Sequence, residues 1–372
     1  MAVLVHAEPL RRLVREIFLA AGCAADEAAR IAKYLVRANL TGHDSHGVIR
    51  VPRYVRWMDE GRLKPGQTIT IVTQNDAMAV IEGNAGFGQT IGPQAVRLGI
   101  EKARRFGVSV IALRHSGHLG RIGDWAEMAV EAGLVSIHLV NVSGSLLVAP
   151  FGAVQRRMAT NPLAIGVPRP DAPPLILDFA TSVVAEGKIL VAFDGGKPLP
   201  EGSLIGDDGR LSDDPAVFYG PRREGRPPDP RFGSGAIRAM GEHKGSGLSF
   251  MIELLAGALT GSGCAGPGER PLVNGMLSLY LAPEVFDADN GFAAEIRRYV
   301  DFFKSAKAAA PDGEVLVPGE PERRTREARL ARGIPLPEDT WQEILGSARK
   351  VGLRRDRIDA ALAGAPGAQT GD

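Results

Sequence analysis

"AMAVIEGNAGFGQTIG", residues 77–92, separates two quite different architectures for this chain. Its apolar, alternating start reads as a strand, Gly86-Phe87-Gly88 as a tight turn, and the following "GQTIGPQAVRLGIEKARRFG" as a helix. A second strand, "VSVIALRH", comes next and ends near Arg114. A strand, a glycine turn, a helix and a strand make the outline of a dinucleotide fingerprint. There the glycines let the backbone approach a pyrophosphate at a helix N-terminus. Two departures count against it here. The third glycine, Gly92, comes one position late, and no acidic residue ends the second strand to hold a ribose hydroxyl. We therefore read a structural turn and expect no Rossmann domain.

Around this turn the texture is α/β. "TITIVTQNDAMAVIEGN" alternates as strands, "GDWAEMAVEAG" reads as a helix and "LVSIHLVNVS" as a strand. "NPLAIGVPRP" and "PPLILDFAT" are apolar runs bounded by proline and aspartate, and we expect strands. Residues 195–235, rich in Gly, Pro and Asp, are expected to form a long loop. "HKGSGLSFMIELLAGALTG" is expected as a buried helix and "NGMLSLYLAPEVF" as a strand. Before residue 69 the pattern is helical. Leu10, Leu13, Val14, Ile17 and Phe18 share one face of a helix over 7–22. Asp26 and Glu27 suit the positive end of a second helix over 26–40, and Pro52 the first turn of a third. From residue 291 the chain reads as mostly helical, with "GAPGAQTGD" a frayed tail.

The bulk numbers exclude several classes. A net charge of +1 over 372 residues gives no bulk attraction to nucleic acid or anionic membrane. Two cysteines, Cys23 and Cys264, make no disulfide framework, and a reducing cytosol is the simplest setting. The N-terminus turns charged within ten residues, so no signal-peptide core is expected. The longest apolar stretch contains Glu253 and is too short to span a bilayer.

Chemistry concentrates in "NLTGHDSHGVIRVPRYV", residues 39–55. It places His43, Asp44, Ser45 and His46 together, with Arg50 one helical turn beyond His46. His43/His46 and a second pair, His115/His118, share a His-x-x-His spacing that could hold a metal, although no glutamate or cysteine joins either pair. A serine hydrolase is a poor fit, since no Gly-x-Ser-x-Gly elbow is present. A serine that orients its neighbouring imidazole fits better. His46 would then donate or accept a proton near neutral pH, and Arg50 would grip a carboxylate. His243 and Lys244 stand just before a helix with two glycines in its first turn, a pattern that suits phosphate binding or close helix packing. Arg323, Arg324, Arg326, Arg329 and Arg332 form either a solvated helix face or an adenosine-phosphate clamp.

Seven motifs in one order make the chain resemble the NAD(P)-dependent malate/L-lactate dehydrogenase family of non-Rossmann type. They are "TGHDSHGVIRVPRY", "SGHLGRIGDWA", "ATNPLAIGVP", "LDFATSVVAEGKI", "LIGDDGRLSDDP", "HKGSGLSFMIELLAGALTG", and "VPGEPE" followed by "RGIPL". The family also holds ureidoglycolate, sulfolactate and diketogulonate oxidoreductases and a cyclic-imine (piperideine-2-carboxylate) reductase. The resemblance covers residues 8 to 345. It implies an α/β fold with a largely antiparallel or mixed sheet, with no Rossmann domain, and a helical lobe built from both chain ends. The implied division is an N-terminal helical segment, 1–72, a cofactor- and substrate-binding α/β domain, 73–290, and a C-terminal helical segment, 291–372, packed on the first, with a flexible tail over 364–372. It also implies a cytoplasmic homodimer that uses NAD(P)H and no metal.

Carried over residue by residue, the resemblance makes His46 the proton donor with Ser45 its partner, and Arg50 the carboxylate anchor. His118, itself the catalytic base in some members, joins Leu119, Gly120, Arg121 and Ile122 in the loop that lines the nicotinamide. Thr160, Glu186 and Gly187 match substrate contacts. Lys188 matches a position that completes the proton relay in some members, where it can be acidic. Asn141, Asp178, Phe179, Ala180, His243, Lys244, Gly319, Glu320 and Arg323 match cofactor contacts. Three departures are visible: Ala159 replaces a usual glycine, Arg121 and Asp124 stand where small or aromatic residues are common, and Lys188 is not acidic. Arg121 could meet an extra acidic group on the substrate. Lys188 favours hydroxy-acid chemistry over imine reduction. The rival class is a metal-dependent hydrolase using both histidine pairs.

Overall fold

The computed structural model describes residues 2–193, 198–222, 229–268 and 270–363, so the expected tail at 364–372 lies outside the described residues. The fingerprint-like stretch is a true βαβ unit. Strand Met78–Glu82 pairs in parallel with strand Val108–Ser116, and helix Gly88–Phe106 crosses between them. The glycines serve the protein itself rather than a phosphate. A Cβ on Gly88 would lie 2.1 Å from the His118 carbonyl oxygen and 2.5 Å from the Leu119 Cα. One on Gly92 would strike the Trp125 ring at 2.6 Å. The start of the helix is covered by the 117–119 backbone, which leaves no gap for a pyrophosphate.

This parallel pair belongs to a seven-stranded sheet. The strands lie in the order Thr70–Gln74, Met78–Glu82, Val108–Ser116, Asn274–Leu281, Val135–Val142, Leu163–Val167 and Leu175–Phe179. Every other pairing in it is antiparallel. Strand Asn274–Leu281 arrives late in sequence yet lies between Val108–Ser116 and Val135–Val142. That central seat explains its nearly unbroken burial. Helices Gly88–Phe106 and Gly123–Glu131 share a core with this sheet, around Trp125, Ile91, Val96 and Met276.

A second core joins the chain ends. Helices Ala7–Ala20, Ala25–Leu40 and Val51–Asp59 pack with Glu338–Lys350 and Arg355–Leu362. Leu10, Leu13, Val14, Ile17 and Phe18 are fully buried there. Each contributes about 1.5–3 kcal/mol relative to an exposed position. Strand Ala2–Val5 pairs antiparallel with Ile334–Pro337. Neither strand is legible in the sequence, because each has four residues and its partner lies almost a full chain length away.

The third core draws Leu199, Leu204, Phe218 and Tyr219 from the region expected to be a loop and joins them to Val148, Met158, Val184, Ile189, Ile237 and Ala239. Leu204–Ile205, Leu211–Ser212, Ala236–Arg238 and Val148–Ala149 form a four-stranded sheet, and Ala216–Tyr219 forms a short helix against it. Two-residue strands leave no periodicity to read among so many glycines and prolines. Arg156 ties the region together, donating to the Gly235 carbonyl at 2.6 Å while its guanidinium covers the Phe218 ring. The segment expected as a buried helix is helical over His243–Ile252 and widens to a π-helix over Glu253–Ala258. It is buried on one side only: Ser249, Ile252 and Ala256 face inward while Phe250, Met251 and Leu259 are exposed. Among the described residues no helix is long and apolar enough to cross a membrane.

Two predictions follow from this packing. Gly88→Ala forces the 117–119 backbone away from the helix, and thermal unfolding should show a loss of about 1–3 kcal/mol. His138 lies fully buried on strand Val135–Val142, between Ser278 Oγ at 2.9 Å and Ser136 Oγ at 3.1 Å. Burial holds its imidazole neutral and lowers its pKa to about 3. In the unfolded chain it titrates near 6.5, so its contribution is intact above that pH and is lost as the pH falls below it. The expected slope is about 1.4 kcal/mol per pH unit. Urea unfolding of His138→Gln should show an acid-side slope smaller by about one proton than that of the parent.

Candidate active site

The residues around His46 are held by their own backbone. Helix Ala25–Leu40 stops where Gly42 takes a left-handed φ of 84°. Two tight turns, Asp44–His46 and Val48–Arg50, then lead into helix Val51–Asp59, with Pro52 in its first turn. Asn39 organises both turns: its oxygen accepts the Val48 N–H at 2.8 Å and its amide donates to Asp44 at 2.6 Å. Gly47 allows this, since a Cβ there would lie 2.1 Å from the Asn39 oxygen. Arg329, on helix Glu320–Arg332, forks onto the Asp44 carboxylate at 2.6 and 2.9 Å. Asp44 therefore supports the turn. His43 turns to Asp178, 3.7 Å away.

His46 meets His118 from the loop after strand Val108–Ser116. The rings are nearly parallel, at 14°, and His46 Nδ1 lies 3.3 Å from His118 Nε2. His118 Nδ1 lies 2.6 Å from the Tyr54 hydroxyl, which Gln89 Nε2 reaches at 3.1 Å. Burial and then the Arg50 charge lower the His46 pKa to about 3, with smaller contributions from His43 and Arg121. Burial, then Arg50, His46 and Arg53, push His118 well below its ordinary value. Both rings are neutral at physiological pH.

Arg50 stands beside this pair. Its Nε donates to the Ser45 carbonyl at 2.6 Å, so Ser45 contributes through its backbone. Arg50 and Arg53 face Glu186 at 3.9 and 3.4 Å. Burial alone would raise the Glu186 carboxyl, but Arg53 and Arg50 outweigh it and hold it below the usual range. Helix Glu186–Phe193 begins directly against the histidine turn, where a Cβ on Gly187 would come 2.4 Å from Ser45 Cβ. Lys188 is exposed, and among the described residues its side chain bonds to none of these groups. Thr160 joins through its carbonyl, which accepts the Thr181 N–H at 2.9 Å.

The other candidate residues lie along the edge strand Leu175–Phe179. The Asp178 carboxylate accepts the Gly123 N–H at 2.9 Å, at the start of the helix that follows Leu119, Gly120, Arg121 and Ile122. Leu119 and Ile122 are buried in the sheet core. Pro318 accepts the Ile176 N–H at 3.3 Å, which brings Gly319, Glu320 and Arg323 to the same edge. Arg323 donates to the Pro174 carbonyl, and Glu320 accepts Lys304 and the Val317 N–H. Phe179 and Ala180 lead to Thr181, whose carbonyl accepts the Met240 N–H at 2.9 Å. That bond carries exposed His243 and Lys244 nearby.

Besides Ser45, which meets Arg50 rather than His46, and the exposed Lys188, two side chains are already engaged within the protein. Arg121 is 2 % exposed, with its guanidinium among Asp124 at 3.2 Å, Glu127 at 2.7 Å and Asp178 at 3.5 Å. Three carboxylates already occupy it, so it has no free face for an acidic group on a substrate. Arg37 completes this buried network through Asp124 and Glu127. Asn141 is fully buried; its amide donates to Glu253 and Gly263 and its oxygen accepts the Gly275 N–H. Every polar atom of that side chain is used inside the protein. Sequence reading missed Tyr54, Gln89, Arg53, Asn39 and the purpose of Arg329. Tyr54 lies inside the motif, one helical turn after Arg50, and that spacing was the available signal.

The two His-x-x-His pairs do not converge. His46 and His118 meet, His43 turns to Asp178, and His115 turns to Glu82 at 3.0 Å. Among the described residues no group of three or more His, Cys, Asp or Glu side chains is placed to hold a metal ion.

Residues 5–345 match the malate/L-lactate dehydrogenase family. The chain is 37% identical to hydroxycarboxylate dehydrogenase B of Escherichia coli O157:H7 over 95% of its own length and 96% of that protein. It is 34% identical to an L-lactate dehydrogenase of Cupriavidus necator, over 90% of this chain and 94% of that one. The solved structure of a Δ1-piperideine-2-carboxylate reductase from Pseudomonas syringae superposes with a TM-score of 0.76 at 29% identity, covering 93% of this chain and 99% of that one. This chain is a member of the malate/L-lactate dehydrogenase family.

Proposed function

We propose that the protein transfers a hydride reversibly between C4 of NAD(P)H and C2 of a small 2-hydroxy or 2-oxo acid, in the cytoplasm and as a homodimer. The observation that carries this reading is the neutral His46–His118 pair beside Arg50. Arg50 holds the substrate carboxylate, and its guanidinium fork suits two carboxylate oxygens. His46 Nε2, the nitrogen not turned to His118, exchanges the proton with the substrate oxygen. Ser45 supports Arg50 through its carbonyl, while Glu186 and Gly187 close the substrate side. The nicotinamide, when bound, supplies or takes the hydride. Asp178, Phe179, Ala180, Gly319, Glu320 and Arg323 hold the cofactor at the strand edge. The exposed Lys244 and His243 at a helix start provide the cation and positive helix end that a phosphate needs. Exposed Phe250, Met251 and Leu259 supply an apolar face for a second copy.

Two experiments test this. His46→Ala should bind cofactor normally, as followed by nicotinamide fluorescence, but lose about 10²-fold or more in turnover. Near-normal turnover across a panel of 2-oxo acids would sink the assignment. The second is a pH profile. A proton acceptor with a lowered pKa stays deprotonated far into acid, so kcat/KM for hydroxy-acid oxidation should show no acid limb near pH 6.5. A limb at that pH would mean that an ordinary exposed histidine does this work.

A further inference from the structure

The hydrogen-bond chain Gln89–Tyr54–His118–His46 has a direction. Gln89 and Tyr54 are both 1 % exposed, so their partners are fixed by the protein. The Gln89 amide nitrogen only donates, and it does so to the Tyr54 oxygen at 3.1 Å. The phenol hydrogen is then free for His118 Nδ1, 2.6 Å away. A neutral imidazole carries one hydrogen. With Nδ1 accepting, His118 carries its hydrogen on Nε2, 3.3 Å from His46 Nδ1. His46 Nδ1 therefore accepts, and its own hydrogen sits on Nε2. The opposite placement of the amide would bury an unpaired NH2 group in place of the single unpaired Gln89 oxygen, a larger loss.

We propose that Tyr54 and Gln89 are positioning residues that set the polarity of the histidine pair, so that His46 presents an N–H rather than a lone pair to the substrate oxygen. The inference rests on the reading of His46 given above. Its consequence is selective. A 2-oxo acid carbonyl only accepts hydrogen bonds and meets the resting chain directly. A hydroxy acid aims its O–H at His46, so the chain must first reverse. Reversal places the His46 hydrogen on Nδ1 and the His118 hydrogen on Nδ1, and it turns the Gln89 amide over so that its oxygen accepts the phenol hydrogen. Arg50, Arg53, His43 and Arg121 are the charged and titratable groups facing the pair, and they oppose a second proton on either ring.

Gln89→Glu keeps the shape and inverts the end of the chain, because a carboxylate accepts the phenol hydrogen. Tyr54→Phe keeps the ring against Phe18 and Phe87 and removes the hydroxyl. In protein labelled with ¹⁵N-histidine, long-range ¹⁵N–¹H correlations distinguish the two tautomers, and His46→Ala and His118→Asn assign the signals. The parent should show Nε2–H on His118, Gln89→Glu should show Nδ1–H, and Tyr54→Phe should show a mixture. In Gln89→Glu the KM for pyruvate should rise against that for lactate by about tenfold, the size of one hydrogen bond. Nδ1–H on His118 in the parent overturns the proposal. So does a Gln89→Glu protein with unchanged tautomer and KM ratio. If that variant does not fold, the parent and Tyr54→Phe spectra decide alone. Normal turnover in His46→Ala would instead overturn the catalytic reading and leave the tautomer result standing.

Discussion

At Gly88 a helix start and a loop press together with no room for a side chain. The His118 carbonyl and Leu119 Cα lie where a Cβ would stand, at 2.1 and 2.5 Å. This contact closes the one place where the chain could have held a pyrophosphate in the Rossmann manner. It also seats His118, and the next residue of the helix, Gln89, reaches Tyr54 behind it. The glycine turn that looked like a cofactor site thus builds the back wall of the candidate site around the histidine pair. A βαβ unit is present, but its crossover serves packing and histidine placement.

The front wall comes from far away in sequence. The turn carrying His46 is pinned by Asn39 from one side and Arg329 from the other. Arg329 lies on the helix whose first turn meets strand Leu175–Phe179, where the candidate cofactor residues gather. One helix of 13 residues therefore spans from that edge to the turn that carries His46. Its other support is the pairing of Ala2–Val5 with Ile334–Pro337, which joins the two ends of the chain. Elements from both chain ends and from the sheet thus frame the histidine pair.

Local signals were readable and long-range ones were not. Helix and strand periodicity located the main sheet strands, since seven of them carry enough apolar alternation or length. The terminal strands and the two-residue strands near 204 and 211 were hidden, because their stability comes from partners rather than pattern. At the site, "TGHDSHGVIR" pointed to the imidazoles and guanidinium that the structure brings together around His46 and Arg50. It could not show that Arg121 would be surrounded by three carboxylates, or that the Asn141 amide would be spent on Glu253 and Gly263. Those outcomes depend on side chains that converge from separate elements, and no spacing records them.

Charge balance links the site to the kind of molecule it accepts. Arg50 and Arg53 lie side by side, and two neighbouring guanidiniums alone would repel each other. Glu186 sits 3.9 and 3.4 Å from them and stays ionised because both arginines favour its charged form over the cost of burial. The three groups together keep one positive charge, which matches one carboxylate. Glu186 also places a negative charge close to where the substrate carboxylate would lie, so a second anionic group on the substrate meets both attraction to Arg53 and repulsion from Glu186. The buried network behind them holds Arg37 and Arg121 against Asp124, Glu127 and Asp178, and so carries one negative charge when all five are ionised. Burial raises the Asp124 carboxyl and opposes that excess. The histidine pair lies between a cationic and an anionic cluster. It stays neutral because both rings are buried and Arg50 is near enough to act on both, whereas the carboxylates are already engaged by arginines of their own.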